Sequence, residues 1–306
     1  MAGEAGQAAE DRVIEIASCD GREPLSAMKA TTVRDALAVA AARLSGLVTA
    51  RRDAELLLLR VLGHDRAWLL AHAEAALSDE QTRQFEEWIE RRARYEPVQY
   101  IVGETEFFGL AFKVTPEVLI PRPETEHLVE AVVARLPLDA RVRICDVGTG
   151  SGAIAVALEH ALPRAEVTAI DLSAAALVIA KNNAERHGAG ERVRLLESDL
   201  LAAVRGERFD AIVSNPPYVA DGEILEAQVR SYEPRVALFA GPTGLEIYQR
   251  LIPQAREALV AGGWLILEIG QGQRDALAAM LADWDGVEFV PDLQGIPRVA
   301  IARRRA

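Results

Sequence analysis

Positive charge is scarce in this chain. Its 34 lysines and arginines face 46 aspartates and glutamates, for a net charge of −12 and a pI near 5.0. That balance argues against broad nucleic-acid binding, where a basic face supplies most of the affinity, so no sequence-specific nucleic-acid partner is expected. The short basic clusters at Arg91, Arg92 and Arg94 and at Arg303 to Arg305 read as solvated helix ends or tail. Cysteine is nearly missing: Cys19 and Cys145 have no metal-ligand spacing, and Cys145 sits inside the apolar stretch "RVRICDVG". Reduced thiols and no metal site are the reading. No apolar run approaches the ~20 residues that span a bilayer. The start, "MAGEAGQAAEDR", lacks a basic region followed by an apolar core and does not read as a secretory signal. His72, His160 and His187 stand in helical contexts and read as surface or packing residues. Half of the chain is hydrophobic and a quarter charged, so the expectation is a globular cytoplasmic protein with a sizeable core.

Periodicity divides the chain. Residues 1–30 lack a sustained pattern and read as a flexible extension. Residues 31–98 read as a bundle of about four short helices. Thr32 is placed to cap "VRDALAVAAARL", Gly63 to end "RRDAELLLLRVLG", and Ser78 with Gln81 has capping-box spacing. Over 99–120, β-branched and aromatic residues around Gly103 and Gly109 predict a β-hairpin linker. From 121 to 306 strands and helices alternate, after a helix starting near Glu124 or Thr125. That predicts an α/β, Rossmann-like, doubly wound parallel sheet. The final pair "VEFVPD" and "RVAIARR", joined by a short turn, predicts an antiparallel edge.

Two places in the α/β region carry chemistry. "DVGTGSGAIAVAL" sets Gly148, Thr149, Gly150, Ser151 and Gly152 between a strand and a helix, where glycines admit a ligand against the backbone and the helix start offers free N–H groups. Asp171, at the next strand end, is placed to accept ribose hydroxyls. Gly148, Gly150 and Ala153 also fit a dinucleotide fingerprint, so a dehydrogenase competes on these residues alone. Asp146 and Asp199 tilt the reading. Carboxylates beside the loop and near the adenine position suit S-adenosyl-L-methionine, with its sulfonium and ammonium, better than a pyrophosphate.

The second place is "SNPPYV". A conjugated amine is a poor nucleophile until acceptors on its N–H bonds orient it and return electron density. The Asn215 side-chain carbonyl and the Pro216 backbone carbonyl, held stiff by Pro217, supply two acceptors, and Tyr218 a flat face. The clamp selects a planar amine without separating glutamine from adenine. A non-catalytic binder has no need of it, and a dehydrogenase offers it no role.

The chain resembles the HemK/PrmC family of methyltransferases acting on the glutamine of peptide chain release factors, from about Thr32 onward. The resemblance is carried by "EPVQYIVGETEFFG", "LIPRPETEHLVE", "EPRVALFAGPTGLEIY", "LEIGQGQ" and "DLQGIPRVAIARR", together with the loop and clamp. It implies a helical substrate-recognition domain, a β-hairpin and a seven-stranded class I methyltransferase domain. It implies that Gly148 to Gly152 hold the methionine part of the cofactor and Asp171 the ribose. Asn215, Pro216, Pro217 and Tyr218 would take the glutamine of a Gly-Gly-Gln motif, with Asn215 also against the cofactor and Arg122 to Glu126 closing over it. Where some members carry an aromatic residue after Asp199, this chain has Leu200, which puts aliphatic packing against the adenine. Methylation of adenine in DNA or RNA is the alternative.

Overall fold

The computed structural model describes residues 32–306, so the expected extension over 1–30 and Cys19 lie outside the described residues. Helices α1 (Val33–Arg43), α2 (Ala50–Leu62), α3 (Arg66–Ala71) and α4 (Asp79–Ala93) form the N-terminal bundle. Their ends follow local chemistry. Thr32 accepts from the Asp35 N–H, Ser78 and Gln81 form the reciprocal capping box, and Gly63 closes α2 in the left-handed region at φ 67°. Val33, Ala36, Ala40, Leu57, Leu58, Phe85 and Ile89 fill the bundle core. One ion pair is buried with them: Arg92 Nε donates to Asp53 Oδ2 at 2.7 Å, and the Thr49 hydroxyl donates to the same oxygen at 2.7 Å.

The expected hairpin is present, but it starts later than residue 99. Val98–Val102 is a short helix, α5, ahead of the hairpin β1 (Glu104–Phe107) and β2 (Leu110–Lys113). Pro97 explains the difference: its fixed φ of −57° starts a turn, its carbonyl accepts from Tyr100 and Ile101, and Gly103 at φ 79° stops it. Strand propensity loses to these two ends, and the turn buries Tyr100 and Ile101. Glu104 on the hairpin joins the two parts of the molecule, pairing with Arg60 of α2 at 2.5 Å and with Arg186 at 2.6 Å. Glu126 Oε1 accepts from the Phe108 N–H at the hairpin tip.

A single 3₁₀ turn, Pro123–Thr125, leads into α6 (Glu126–Val133). Alternation then gives β3 (Arg143–Val147), α7 (Ala153–Ala161), β4 (Glu166–Asp171), α8 (Ala174–Arg186), β5 (Val193–Glu197) and β6 (Phe209–Ser214). Short elements follow: β7 (Val219–Ala220), α9 (Ala227–Tyr232), α10 (Arg235–Leu238) and β8 (Phe239–Gly241), with β7 and β8 paired in parallel. The chain ends with α11 (Glu246–Ala258), β9 (Leu259–Glu268), α12 (Arg274–Met280), β10 (Asp285–Pro291) and β11 (Pro297–Arg303).

The seven-stranded sheet has the order β10-β11-β9-β6-β3-β4-β5. Strands β9 to β5 in that order run parallel, whereas β11 is antiparallel to both β9 and β10, the expected antiparallel edge. Two apolar layers cover its faces. One is built on α6 and α7 (Leu128, Val132, Val156, Leu158), the other on α11 and α12 (Tyr248, Leu251, Leu277). From β3 the chain winds out to β5 and returns on the other side at β6, so strand order reverses between β3 and β6. A crevice opens there at the carboxyl ends of the strands.

The bundle's buried ion pair yields a stability test. Arg92→Met leaves Asp53 buried without its counter-charge and is expected to cost about 3–5 kcal/mol, seen as a lower unfolding midpoint in denaturant. A midpoint equal to that of the unaltered chain would contradict this account.

Candidate active site

The crevice is a cavity of about 230 Å³ lined by the strand ends: Gly148 to Ser151 after β3, Asp171 as the last residue of β4, Ser198 to Leu200 after β5, and Ser214 to Pro217 from the end of β6. Thr125 and Pro121 close one side, Val236, Ala237 and Phe239 another. Most of the residues that the sequence suggested for the site therefore meet here; Gly152 and Tyr218 are outside the lining.

The glycine loop is shaped by backbone and by acids on either side. Gly148, Gly150 and Gly152 all have positive φ. Gly152 also has to be small, since a Cβ there would stand 3.2 Å from Ala180 Cα and Cβ, and this contact seats the start of α7 on α8. Asp171 holds the loop from one side: its Oδ2 accepts from the Gly150 N–H and its Oδ1 from the Ser173 N–H, both at 2.8 Å. Burial pushes the Asp171 carboxyl up, against these backbone donors. Asp146 is not on the rim where the sequence reading put it. It is fully buried beneath the loop, outside the cavity lining, because β3 carries its side chain into the interior. Its Oδ2 accepts the Thr149 hydroxyl at 2.6 Å while Oδ1 makes no hydrogen bond of normal geometry among the described residues, and burial pushes its pKa to about 7.

The far end of the cavity mixes apolar and acidic groups. Leu200 lines it with φ at 50°, an unusual conformation for a leucine. Asp199 is tied by Arg250 at 2.6 Å, and Arg250 is the one cationic side chain among the lining residues, against Glu117, Asp171 and Asp199. A lining with an acidic excess and aliphatic walls fits a ligand with a cationic end and an apolar ring system, and disfavours a pyrophosphate.

Asn215 is anchored through its amide nitrogen, which donates to Thr125 Oγ1 at 3.1 Å and leaves Oδ1 free to accept. Tyr218 is turned aside. Its hydroxyl lies 3.5 Å from Glu268 Oε1, and its carbonyl accepts from Gln273 Nε2 at 3.0 Å. A Cβ on Gly244 would sit 2.5 Å from that carbonyl, so glycine is required where the chain passes behind the clamp. Glu268, at the end of β9, is 2% exposed. Burial pushes it to about 7, opposed by the Thr125 hydroxyl and Arg298 and reinforced by Glu124.

Residues without an assigned role in the sequence turn out to organise the site. Glu233, from "EPRVALFAG", is buried and pairs with Arg122 of "IPRPETE" at 2.5 Å while accepting from the Ile120 N–H. The two stretches most specific to the resemblance are thus one contact. Glu268 and Gln273 come from "LEIGQGQ", and its place among the stretches that carry the resemblance is the only sequence signal of them. Among the described residues no cluster of side chains could hold a metal ion, and no helix is long and apolar enough to cross a membrane.

Comparison with known proteins agrees with this layout. Residues 35–103 match the model of the PrmC N-terminal domain, and residues 124–231 the model of the methyltransferase small domain. The chain is 48% identical to a release factor glutamine methyltransferase of Koribacter versatilis, over 83% of this chain and 91% of that protein. It is 46% identical to the one from Moorella thermoacetica, over 90% and 99% respectively. For the Escherichia coli protein of the same name the identity is 42%, over 83% and 92%. Among solved structures, a T. thermophilus 16S rRNA methyltransferase in complex with AdoMet and guanosine superposes with a TM-score of 0.50 at 22% identity. It covers 66% of this chain and 50% of that one, a likeness of fold.

The two buried carboxyls make stability depend on pH. Both Asp146 and Glu268 bind a proton more tightly folded than unfolded, so the stability they contribute is full below their unfolded values near 4 and is lost as pH rises through about 7. Tm measured by calorimetry is expected to fall from about pH 4.5 to about pH 7 and to level off above it, less steeply in Asp146→Asn. The same slope in that variant would show that Asp146 is not the group responsible.

Proposed function

The chain belongs to the family of release factor glutamine methyltransferases, and from this premise we propose how its own residues carry out the transfer. The protein is an S-adenosylmethionine-dependent methyltransferase that modifies a glutamine side-chain amide of peptide chain release factors. S-adenosyl-L-methionine supplies an electrophilic methyl on sulfur. Gly148, Thr149, Gly150 and Ser151 would offer backbone to its methionine part, with Gly152 keeping the loop seated on α8; Asp171 would accept from the ribose hydroxyls, and Asp199 and Leu200 would flank the adenine.

The observation that carries the reading is that Asn215, Pro216 and Pro217 line the same cavity as the glycine loop and Asp171. An amide nitrogen placed there meets two acceptors, Asn215 Oδ1 and the Pro216 carbonyl. These orient its lone pair toward the sulfonium methyl and stabilise the positive charge that develops on nitrogen as the bond forms. Tyr218, outside the cavity lining and turned toward Glu268, backs the clamp from behind and does not offer the target amide the flat face expected of it. No side chain needs to form a covalent bond to the substrate: the methyl would pass directly from sulfur to nitrogen, the C–S bond breaking as the C–N bond forms, with the neutral thioether leaving and the proton on nitrogen passing to water.

The release factor docks on the helical domain over 31–98, and its Gly-Gly-Gln loop, bare of side chains before the glutamine, enters the cavity. Two contacts supporting this reading fix the bundle beside the mouth: Glu104 between Arg60 and Arg186, and the Tyr232 hydroxyl donating to the Arg94 carbonyl at 2.8 Å. Adenine methylation has less support, because an acidic chain of −12 offers little for phosphates to bind.

Incubation with labelled S-adenosylmethionine and an intact release factor, followed by mass spectrometry, tests the assignment. The methyl is expected on the Gly-Gly-Gln glutamine, with much weaker transfer to a short free peptide; label on nucleic acid with the release factor untouched would refute the substrate. Asn215→Ala is expected to lower kcat by on the order of 100-fold or more with the fold retained. Asp171→Ala is expected to weaken cofactor binding by about 1–3 kcal/mol in calorimetry. Wild-type turnover or affinity in either variant would remove that residue from its role.

A further inference from the structure

We propose that Thr125 and Glu268 are positioning residues that fix which end of the Asn215 amide faces the substrate, an inference that rests on the reading of Asn215 as the holder of the target glutamine. The two ends of an asparagine amide are nearly the same in shape, and only the hydrogen bonds around it decide which is presented. Catalysis needs Oδ1 toward the target N–H. A flipped Asn215 would set one NH₂ group against another.

The structure contains a device that prevents the flip. Asn215 Nδ2 donates to Thr125 Oγ1 at 3.1 Å. A hydroxyl can donate as well as accept, so this bond is kept only if the Thr125 proton is drawn elsewhere. Glu268 draws it when ionised: the Thr125 hydroxyl favours that form, which only accepts, against the burial that pushes the carboxyl up to about 7. Glu268 Oε2 is buried and makes no hydrogen bond of normal geometry among the described residues, which leaves it as an open acceptor for that proton. With Glu268 ionised, direction passes from carboxylate to hydroxyl to amide, and each step leaves the next group one choice. The same carboxyl group stands 3.5 Å from the Tyr218 hydroxyl, the other polar side chain of the clamp.

Three separate elements supply this relay. Thr125 ends the 3₁₀ turn before α6, Asn215 follows β6, and Glu268 ends β9. The Ser214–Leu267 register sets the last two side by side. Both Thr125 and Glu268 are at least 95% buried, at 4% and 2% exposure. No salt bridge among the described residues reaches Glu268, and a buried carboxylate without one is expensive to keep. A scaffold without chemistry to serve would do better with an apolar residue there.

The test uses the full chain with S-adenosylmethionine and an intact release factor. Thr125→Val replaces the hydroxyl by a methyl of the same size. It is expected to lower kcat by on the order of 100-fold, with KM for the release factor and the cofactor Kd changed no more than a few-fold. Thr125→Ser restores the hydroxyl and is expected to restore most of kcat. Glu268→Gln gives a comparable loss, and the Thr125→Val/Glu268→Gln double variant falls no further than either alone, as for residues acting as one unit. Wild-type kcat in Thr125→Val overturns the proposal, as does a loss that Thr125→Ser does not relieve or that follows the loss of folded protein in Tm. The last two outcomes would make these side chains packing alone. Wild-type enzyme that leaves the release factor unmethylated would refute the underlying reading instead.

Discussion

The hydrogen-bonded register of the parallel strands determines whether there is a site at all. Val147 pairs with Ile170, Asp146 with Val213, Asp171 with Glu197 and Ser214 with Leu267. These pairings bring Gly148, Asp171, Ser198, Asn215 and Glu268 to one level at the carboxyl edge, although 120 residues separate the first from the last. The lock continues past the strands: Gly148 and Thr149 donate to the Ile170 carbonyl, Ser198 donates to that of Asp171, and the Ser214 hydroxyl donates to that of Val147. A slip of one residue in any of these strands would turn its side chains to the opposite face and break the constellation. Precision at the cavity is therefore a property of the core beneath it, where Ile144, Ala169, Ile212 and Ile266 are fully buried.

The fold was legible wherever its cause is local. Thr32, Gly63, Ser78 and Ser173 terminate helices by contacts within four residues, so the sequence shows them directly. Alternation of β-branched runs with helical periods fixed the sheet class, and the short turn before the last strand its antiparallel edge. The helix at Val98–Val102 was misread because its composition suits a strand and its decision lies in the flanking Pro97 and Gly103.

At the site, the glycine loop and Asn215-Pro216-Pro217-Tyr218 are contiguous in sequence, and their chemistry needs no partner to be recognised. What supports them does need partners. Thr125 is 90 residues from Asn215, and Arg122 is 111 residues from Glu233; no spacing rule links such pairs. The burial of Asp146 and the sideways turn of Tyr218 were likewise beyond reach, since both depend on which face of a strand end looks into the cavity. Glu233 shows the cost of that blindness: its motif was readable as distinctive, but its partner was not.

Glu104 has a different consequence. One carboxylate serves two guanidinium groups, Arg60 from the bundle and Arg186 from the sheet domain, and the pairs are only partly buried. The arrangement is redundant on one side and unique on the other. Replace either arginine and the remaining one still neutralises the glutamate, so little is lost, as for ordinary surface pairs. Replace the glutamate and two positive charges are left facing each other across the junction. Substitutions should therefore accumulate asymmetrically over evolutionary time: the arginines are free to drift singly, while the acid between them is held in place.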